Sequence, residues 1–214
     1  MMELCKSKYI IFDFDGVIVD SEKEYYKAWK QASLFYGYNL TNDELLSLRS
    51  CDKNIASKLF NGIDNYNIVR EKRKEIMNNY LLIKKFPLKE GIDKLLEYLK
   101  NKGYIIVIAT SSSIDMVNMH LEYYKLKKYI YNVLSVKGLK RGKPYPDIYN
   151  YICSNYKLNP KDVLAIEDSP NGIRSAYYAS CNVVMIPDLT YPTDDIKDMI
   201  SLVCNKALDL INYL

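Results

Sequence analysis

Carboxylates and a lysine, rather than histidines, are the reactive groups that this sequence sets out in a pattern. Its single histidine, His120, excludes a histidine-clustered metal site and leaves any Ser-His or Cys-His mechanism dependent on one residue. Asp13 and Asp15 flank Phe14 just before Gly16 and follow the apolar run YIIF. Thr110 and Ser111 follow YIIVIA, Glu167 and Asp168 follow VLAI, and Lys143 lies in the loop RGKPYPD ahead of a helix. If the apolar runs are strands of one open parallel sheet, their carboxyl ends form a crevice, and all four groups point into it. Three or four carboxylates in one place repel one another and have raised pKa values unless a cation is present, and hard oxygen ligands select Mg2+. A metal that keeps waters, a lysine, hydroxyls and helix-start N–H groups together suit an anionic phosphoryl group. Asp13 is then the natural nucleophile.

The elements that must hold these residues are legible from the hydrophobic pattern. YIIF at 9–12 reads as a buried strand ending in a turn. The next seventy or so residues carry helix signals only: Ser21 with Glu24 and Thr41 with Glu44 have capping-box spacing, and Tyr25, Trp29 and Ala32 recur at helical period. A small helical unit is expected between about 20 and 85, joined by short connections near 17–21 and 84–88. From Phe86 onward helices alternate with strands at 104–109, 133–136, 163–167 and 183–186, and a closing helix is expected over 193–213. The order predicts an α/β fold with a Rossmann-like parallel sheet, helices on both faces, and a small inserted helical domain.

The composition narrows the function classes. At 214 residues the chain suits one large domain, or one domain with an insert. No apolar run approaches the roughly 18 residues of a membrane span. The net charge of +4 comes from scattered lysines without a basic stripe, which disfavours nucleic acid as a partner. Five cysteines, an odd number with no C-x-x-C spacing, suggest neither a disulfide framework nor a zinc knuckle. With no signal-peptide pattern in MMELCKSKYIIFDFD, a cytoplasmic setting is expected. His120 is expected on the surface or half-buried face of a helix, with no catalytic role, and Thr110 is a possible helix N-cap.

DFDGVIVDS, ATSSS after a hydrophobic strand, GKPYPDIY and VLAIEDSPNGI resemble, in the right order, the four motifs of the haloacid dehalogenase-like superfamily of phosphohydrolases. The nearest branch is that of β-phosphoglucomutase-like and phosphoglycolate phosphatase-like proteins. The resemblance implies a catalytic core at 1–16 and 86–214 with a helical cap at 17–85. It makes Asp13 the nucleophile and Asp15 the general acid/base. Mg2+ would be held by Asp13, Asp168 and the carbonyl of Asp15, with Glu167 a direct or water-mediated ligand. Thr110 and the N–H of Ser111 would hold the phosphoryl oxygens, and Lys143 would neutralise nucleophile and phosphate. Arg49 and Lys53 in RSCDK are candidates for gripping a second anionic group of the substrate, the alternative being solvated helix-end charges. The implied reaction is hydrolysis of a small phosphorylated metabolite, a sugar phosphate or phosphoglycolate-like ester, by a monomer or weak dimer. Mutase chemistry is the first alternative, although Tyr25 stands where the mutase has an assisting histidine. A non-catalytic binding or regulatory protein is the other.

Overall fold

A computed structural model describes residues 7–49 and 51–214. Cys5 and the rest of the N-terminal MMELCK, and Ser50 of RSCDK, lie outside the described residues. Six strands, β1 (Tyr9–Phe12), β2 (Ile105–Thr110), β3 (Ile130–Ser135), β4 (Leu164–Glu167), β5 (Asn182–Met185) and β6 (Leu202–Val203), form one sheet in the order β3-β2-β1-β4-β5-β6. Every pairing is parallel. β1 is central, and the chain winds from it first toward β2 and β3 and later toward β4 and β5. The order therefore reverses at the carboxyl ends of β1, β2 and β4, where a crevice must open.

The alternation of strand side chains divides the interior in two. Ile10, Phe12, Ile106, Ile108, Leu164, Ile166 and Val184 face one cluster, which α5 (Ile92–Asn101) and α6 (Ile114–Tyr123) cover with Leu95, Leu96, Leu99, Val117 and Leu121. Ile11, Val107, Ala109, Ala165, Val183 and Met185 face the other, under Ile148 and Ile152 of α7 (Asp147–Asn155) and Ile173 of α8 (Pro170–Tyr178). Both faces being buried explains why the strands read as continuous apolar runs.

The expected closing helix at 193–213 does not form. The segment makes a 3-10 turn at Lys197–Met199, the short edge strand β6, and a 3-10 helix at Ala207–Tyr213. Ile196 packs into one cluster, while Cys204, Ala207 and Leu210 pack into the other. A chain that must serve both faces has to cross the sheet edge, which one straight helix cannot do.

Between β1 and α5 lie α1 (Glu22–Phe35), α2 (Asn42–Ser47), α3 (Lys53–Ala56) and α4 (Ile63–Ile83). They share a cluster of their own, with Trp29, Phe60 and Tyr66 stacked at about 6 Å and Ala32, Leu45 and Val69 around them. Thr41 and Glu44 form the expected capping box. Ser21 and Glu24 do not: the Ser21 hydroxyl makes no cap bond and donates to Asp15 Oδ1 at 2.7 Å. Tyr25 leaves the stripe of Trp29 and Ala32 to pack against Phe86 and the sheet-side cluster.

The two connections to this helical insert run side by side. Asp20 N–H donates to the Pro87 carbonyl at 2.8 Å, and Lys89 N–H to that of Ile18 at 3.0 Å. His120, expected near the surface, is buried beneath them. Its Nε2 accepts from Phe86 N–H at 3.2 Å, its Nδ1 donates to the Met116 carbonyl, and its ring stacks on Phe86. Tyr124 OH donates to the Phe86 carbonyl at 2.8 Å. The returning connection thus supplies a backbone donor and an aromatic face that make burial of an imidazole on α6 favourable.

Candidate active site

The crevice collects the sequence-derived residues from four segments. Asp13 follows β1, with its N–H donating to the Ile166 carbonyl at 2.9 Å, and is buried. Lys143, wholly buried, places Nζ 3.1 Å from Asp13 Oδ1, 2.6 Å from Glu167 Oε1 and 3.2 Å from the Ala109 carbonyl. Burial alone would lower the pKa of Lys143, but the Asp13 and Glu167 carboxylates reverse this and hold it above the usual value. Tyr149 OH also donates to Glu167 Oε1. Burial raises Glu167 to about 7 against the pull of Lys143.

Asp13, Glu167 and Asp168 each offer an oxygen, and these oxygens lie within 4.8 Å of one another. Asp13 Oδ2 and Glu167 Oε2 are buried with no hydrogen-bond partner among the described residues. Two glycines make room for this cluster. A Cβ on Gly16, whose φ is +81°, would collide with the Asp168 carboxylate, and one on Gly172 with that of Glu167.

Asp15 accepts from Ser21 Oγ at 2.7 Å and from Ser112 Oγ at 2.6 Å. Burial, then the charges of Glu22 and Asp13, push its pKa up to about 7, with the two hydroxyls pulling the other way. Thr110, at the end of β2, is not the cap of α6. Its Oγ1 accepts from Ser112 N–H at 2.9 Å, while Ser113 is the N-cap and accepts from Met116 N–H. Tight turns need their short donors satisfied locally, and the serine run divides that work among its members. Ser111 lies half-buried in this turn.

The insert supplies a second wall. Arg49 is buried, and its guanidinium reaches Glu22 Oε2 through Nε at 2.5 Å, Asp168 Oδ2 through Nη2, and Thr190 Oγ1 through Nη1 at 3.2 Å. Lys53, by contrast, is exposed at the start of α3 and is not brought to the cluster. Arg73 of α4 lies 5.1 Å and 5.2 Å from the ring centres of Trp29 and Tyr25, with its Nε buried and without a partner among the described residues. Sequence reasoning missed Ser21, Glu22, Arg73, Ser112 and Tyr149. Ser21, Ser112 and Tyr149 stand inside the motifs DFDGVIVDS, ATSSS and GKPYPDIY, whereas Glu22 and Arg73 carried no signal.

The haloacid dehalogenase-like hydrolase family model matches residues 10–186, which includes every strand that feeds the crevice. The chain belongs to that family. It is a hydrolase of phosphoric monoesters, and the non-catalytic alternative falls with this assignment. A phosphorylated carbohydrates phosphatase from Thermotoga maritima is 26% identical over 216 residues, covering 96% of this chain and 97% of its own. A (DL)-glycerol-3-phosphatase 2 from Arabidopsis thaliana is 29% identical over 213 residues, covering 90% and 85%. In fold, the chain is similar to a hydrolase from Pseudomonas syringae with a TM-score of 0.84, at 22% identity and 97% coverage of both chains. No helix among the described residues is long and apolar enough to cross a membrane.

Proposed function

We propose that this hydrolase is a Mg2+-dependent phosphatase of a small phosphorylated metabolite, a sugar phosphate or phosphoglycolate-like ester, acting through an aspartyl phosphate. The observation that carries this reading is Asp13 Oδ2, a buried carboxylate oxygen without a partner among the described residues, beside Lys143 at the end of the central strand. On this reading residues 1–16 and 86–214 form the catalytic core, and residues 17–85 form a cap that selects the ester.

The acidic cluster fits a hard divalent cation, since its donors are all oxygen and two of them lack partners among the described residues. Asp13, Asp168 and the carbonyl of Asp15 would hold Mg2+. Glu167, whose Oε1 already serves Lys143 and Tyr149, suits contact through water. When bound, the ion supplies charge neutralisation at the phosphoryl oxygens and offsets repulsion among the carboxylates.

Asp13 Oδ2 attacks phosphorus, and the bond to the ester oxygen breaks. That oxygen leaves with the bonding pair and takes a proton from Asp15. Water then attacks the phosphorus of the aspartyl phosphate and gives its proton to Asp15, and inorganic phosphate departs as Asp13 is restored. Ser21 and Ser112 hold Asp15 in line for both transfers. Lys143, Thr110 and the N–H of Ser111 take up charge on the equatorial oxygens.

Arg73 suits a second anionic or strongly polar group of the substrate better than the sequence candidates do. Arg49 is engaged by two carboxylates and Lys53 is exposed, whereas Arg73 is held by two rings with a donor to spare. Tyr25 supports hydrolysis over mutase chemistry. Burial, then the nearby charge of Asp15, hold its hydroxyl above the usual range, so it stays neutral and does not take on the positive charge that a histidine can.

Phosphate release from a panel of phosphorylated sugars and short acids, with Mg2+ and with a chelator, tests the reading. Release only with the metal is expected. Equal release in verified metal-free solution refutes the Mg2+ assignment, and isomerisation of β-glucose 1-phosphate faster than release restores the mutase.

A further inference from the structure

Arg49, from the turn after α2, ties the insert to the catalytic half. Its side chain is 5% exposed, and one guanidinium joins Glu22, at the start of α1, to Asp168, after β4. Its backbone is held from the same side, since Asn171 Nδ2 at the start of α8 donates to the Arg49 carbonyl at 2.8 Å. Thr190, beyond β5, accepts a third bond from the guanidinium at 3.2 Å. A surface charge does not acquire three guanidinium partners from three separate segments.

The buried positive charge is divided evenly, one cation to each pair of carboxylates. Lys143 serves Asp13 and Glu167, and Arg49 serves Asp168 and Glu22. Asp168 is thus claimed twice: by the guanidinium, through the Oδ2 that crowds Gly16, and by the divalent ion of the reading given above. A guanidinium and a divalent cation repel strongly at the range one carboxylate imposes, with little water between them to screen the charge.

We propose that Arg49 is a tethered cation that competes with the divalent metal for Asp168, so that metal binding is coupled to release of the Arg49 segment from the catalytic half. The proposal rests on the metal site described under the preceding heading. The coupling is reciprocal: whatever Arg49 costs the metal in affinity, the metal costs Arg49 in its grip on Asp168 and Glu22. Free of metal, the insert is latched over the crevice. With metal bound, Arg49 withdraws and the crevice opens to substrate.

Calorimetric titration with Mg2+, in the absence of substrate, compares the wild type with Arg49→Met, which removes the charge and keeps the bulk. The variant is expected to bind Mg2+ about tenfold tighter. Equal or weaker binding by the variant overturns the competition and makes Arg49 a support that orients Asp168 for the metal. Absence of binding by both proteins overturns the metal site itself and the proposal with it. A second measurement needs no variant. Hydrogen exchange of the peptide carrying Arg49 in the wild-type protein should quicken several-fold when Mg2+ is added, and unchanged or slowed exchange refutes the latch.

Discussion

The floor of the crevice and its roof are built by different means. On the floor, Asp13, Thr110 and Glu167 end or follow neighbouring strands, so the sheet register itself brings them together: Phe12 pairs with both Ile108 and Ile166. Buried Lys143 then ties the carboxylates to one another. On the roof, Glu22 and Arg73 come from α1 and α4 and Arg49 from the turn after α2, elements that share a cluster of their own, and each reaches its place through a long side chain. A floor set by backbone hydrogen bonds can fix chemistry to a fraction of an ångström, whereas a roof of flexible side chains can change partners with the ligand. On the function proposed above, the reaction belongs to the floor and the choice of substrate to the roof.

Asp13→Asn should break the floor completely, with no measurable phosphate release, since an amide cannot accept the phosphoryl group. Its thermal unfolding should stay close to wild type because the two side chains are nearly isosteric. Turnover near the wild-type rate would remove Asp13 as nucleophile. Asp15→Asn should slow both formation and hydrolysis of the phosphoenzyme by about 100 to 10,000-fold in rapid-quench experiments. Unchanged half-reactions would require another proton carrier.

The roof should respond in KM. Arg73→Ala loses a charge-assisted contact of about 1.5–3 kcal/mol, so KM for a doubly anionic ester should rise roughly 10 to 100-fold, with little change for p-nitrophenyl phosphate. Lys53→Ala should leave both unchanged. Equal effects of Arg73→Ala on the two substrates would make it a packing residue.

Two serine/threonine positions with the same capping spacing sharpen the contrast. Thr41→Ala should cost about 0.5–2 kcal/mol in urea unfolding without altering kcat, because its hydroxyl caps α2. Ser21→Ala should lower kcat and leave stability nearly untouched, because its hydroxyl serves Asp15. Exchange of these two phenotypes would contradict the assigned bonds.

His120 should give the smallest effect. Burial holds its pKa below the ordinary value in the folded state. Above about pH 6.5 both folded and unfolded states are neutral there and it contributes no slope. As the pH falls through that value the unfolded chain takes up the proton first, so stability drops. His120→Gln should flatten the loss between pH 7.5 and 5 in urea unfolding, and identical slopes would mean that the imidazole titrates alike in both states.

Much of the site was legible because it is local. An apolar run that stops at an aspartate places that aspartate at a strand end, and the α/β alternation implies that such ends converge. Asp13, Asp15, Thr110, Glu167 and Asp168 needed nothing more, and Lys143 needed only its proline-framed loop. The bonds between Asp15 and Ser112, 97 residues apart, and between Arg49 and Asp168, 119 apart, left no trace in local pattern.

The sequence by itself determined the parallel sheet, its helical insert and the acids at the strand ends, because hydrophobic period and turn residues act over a few positions. The tertiary structure alone decided that Ser21 serves Asp15 instead of its own helix, that His120 is buried under the returning connection, and that the last twenty residues cross the sheet edge. It also decided that Arg49 lies on Asp168. Each of these depends on which distant surface meets a side chain, and buried polar groups take whichever partner packing brings within reach.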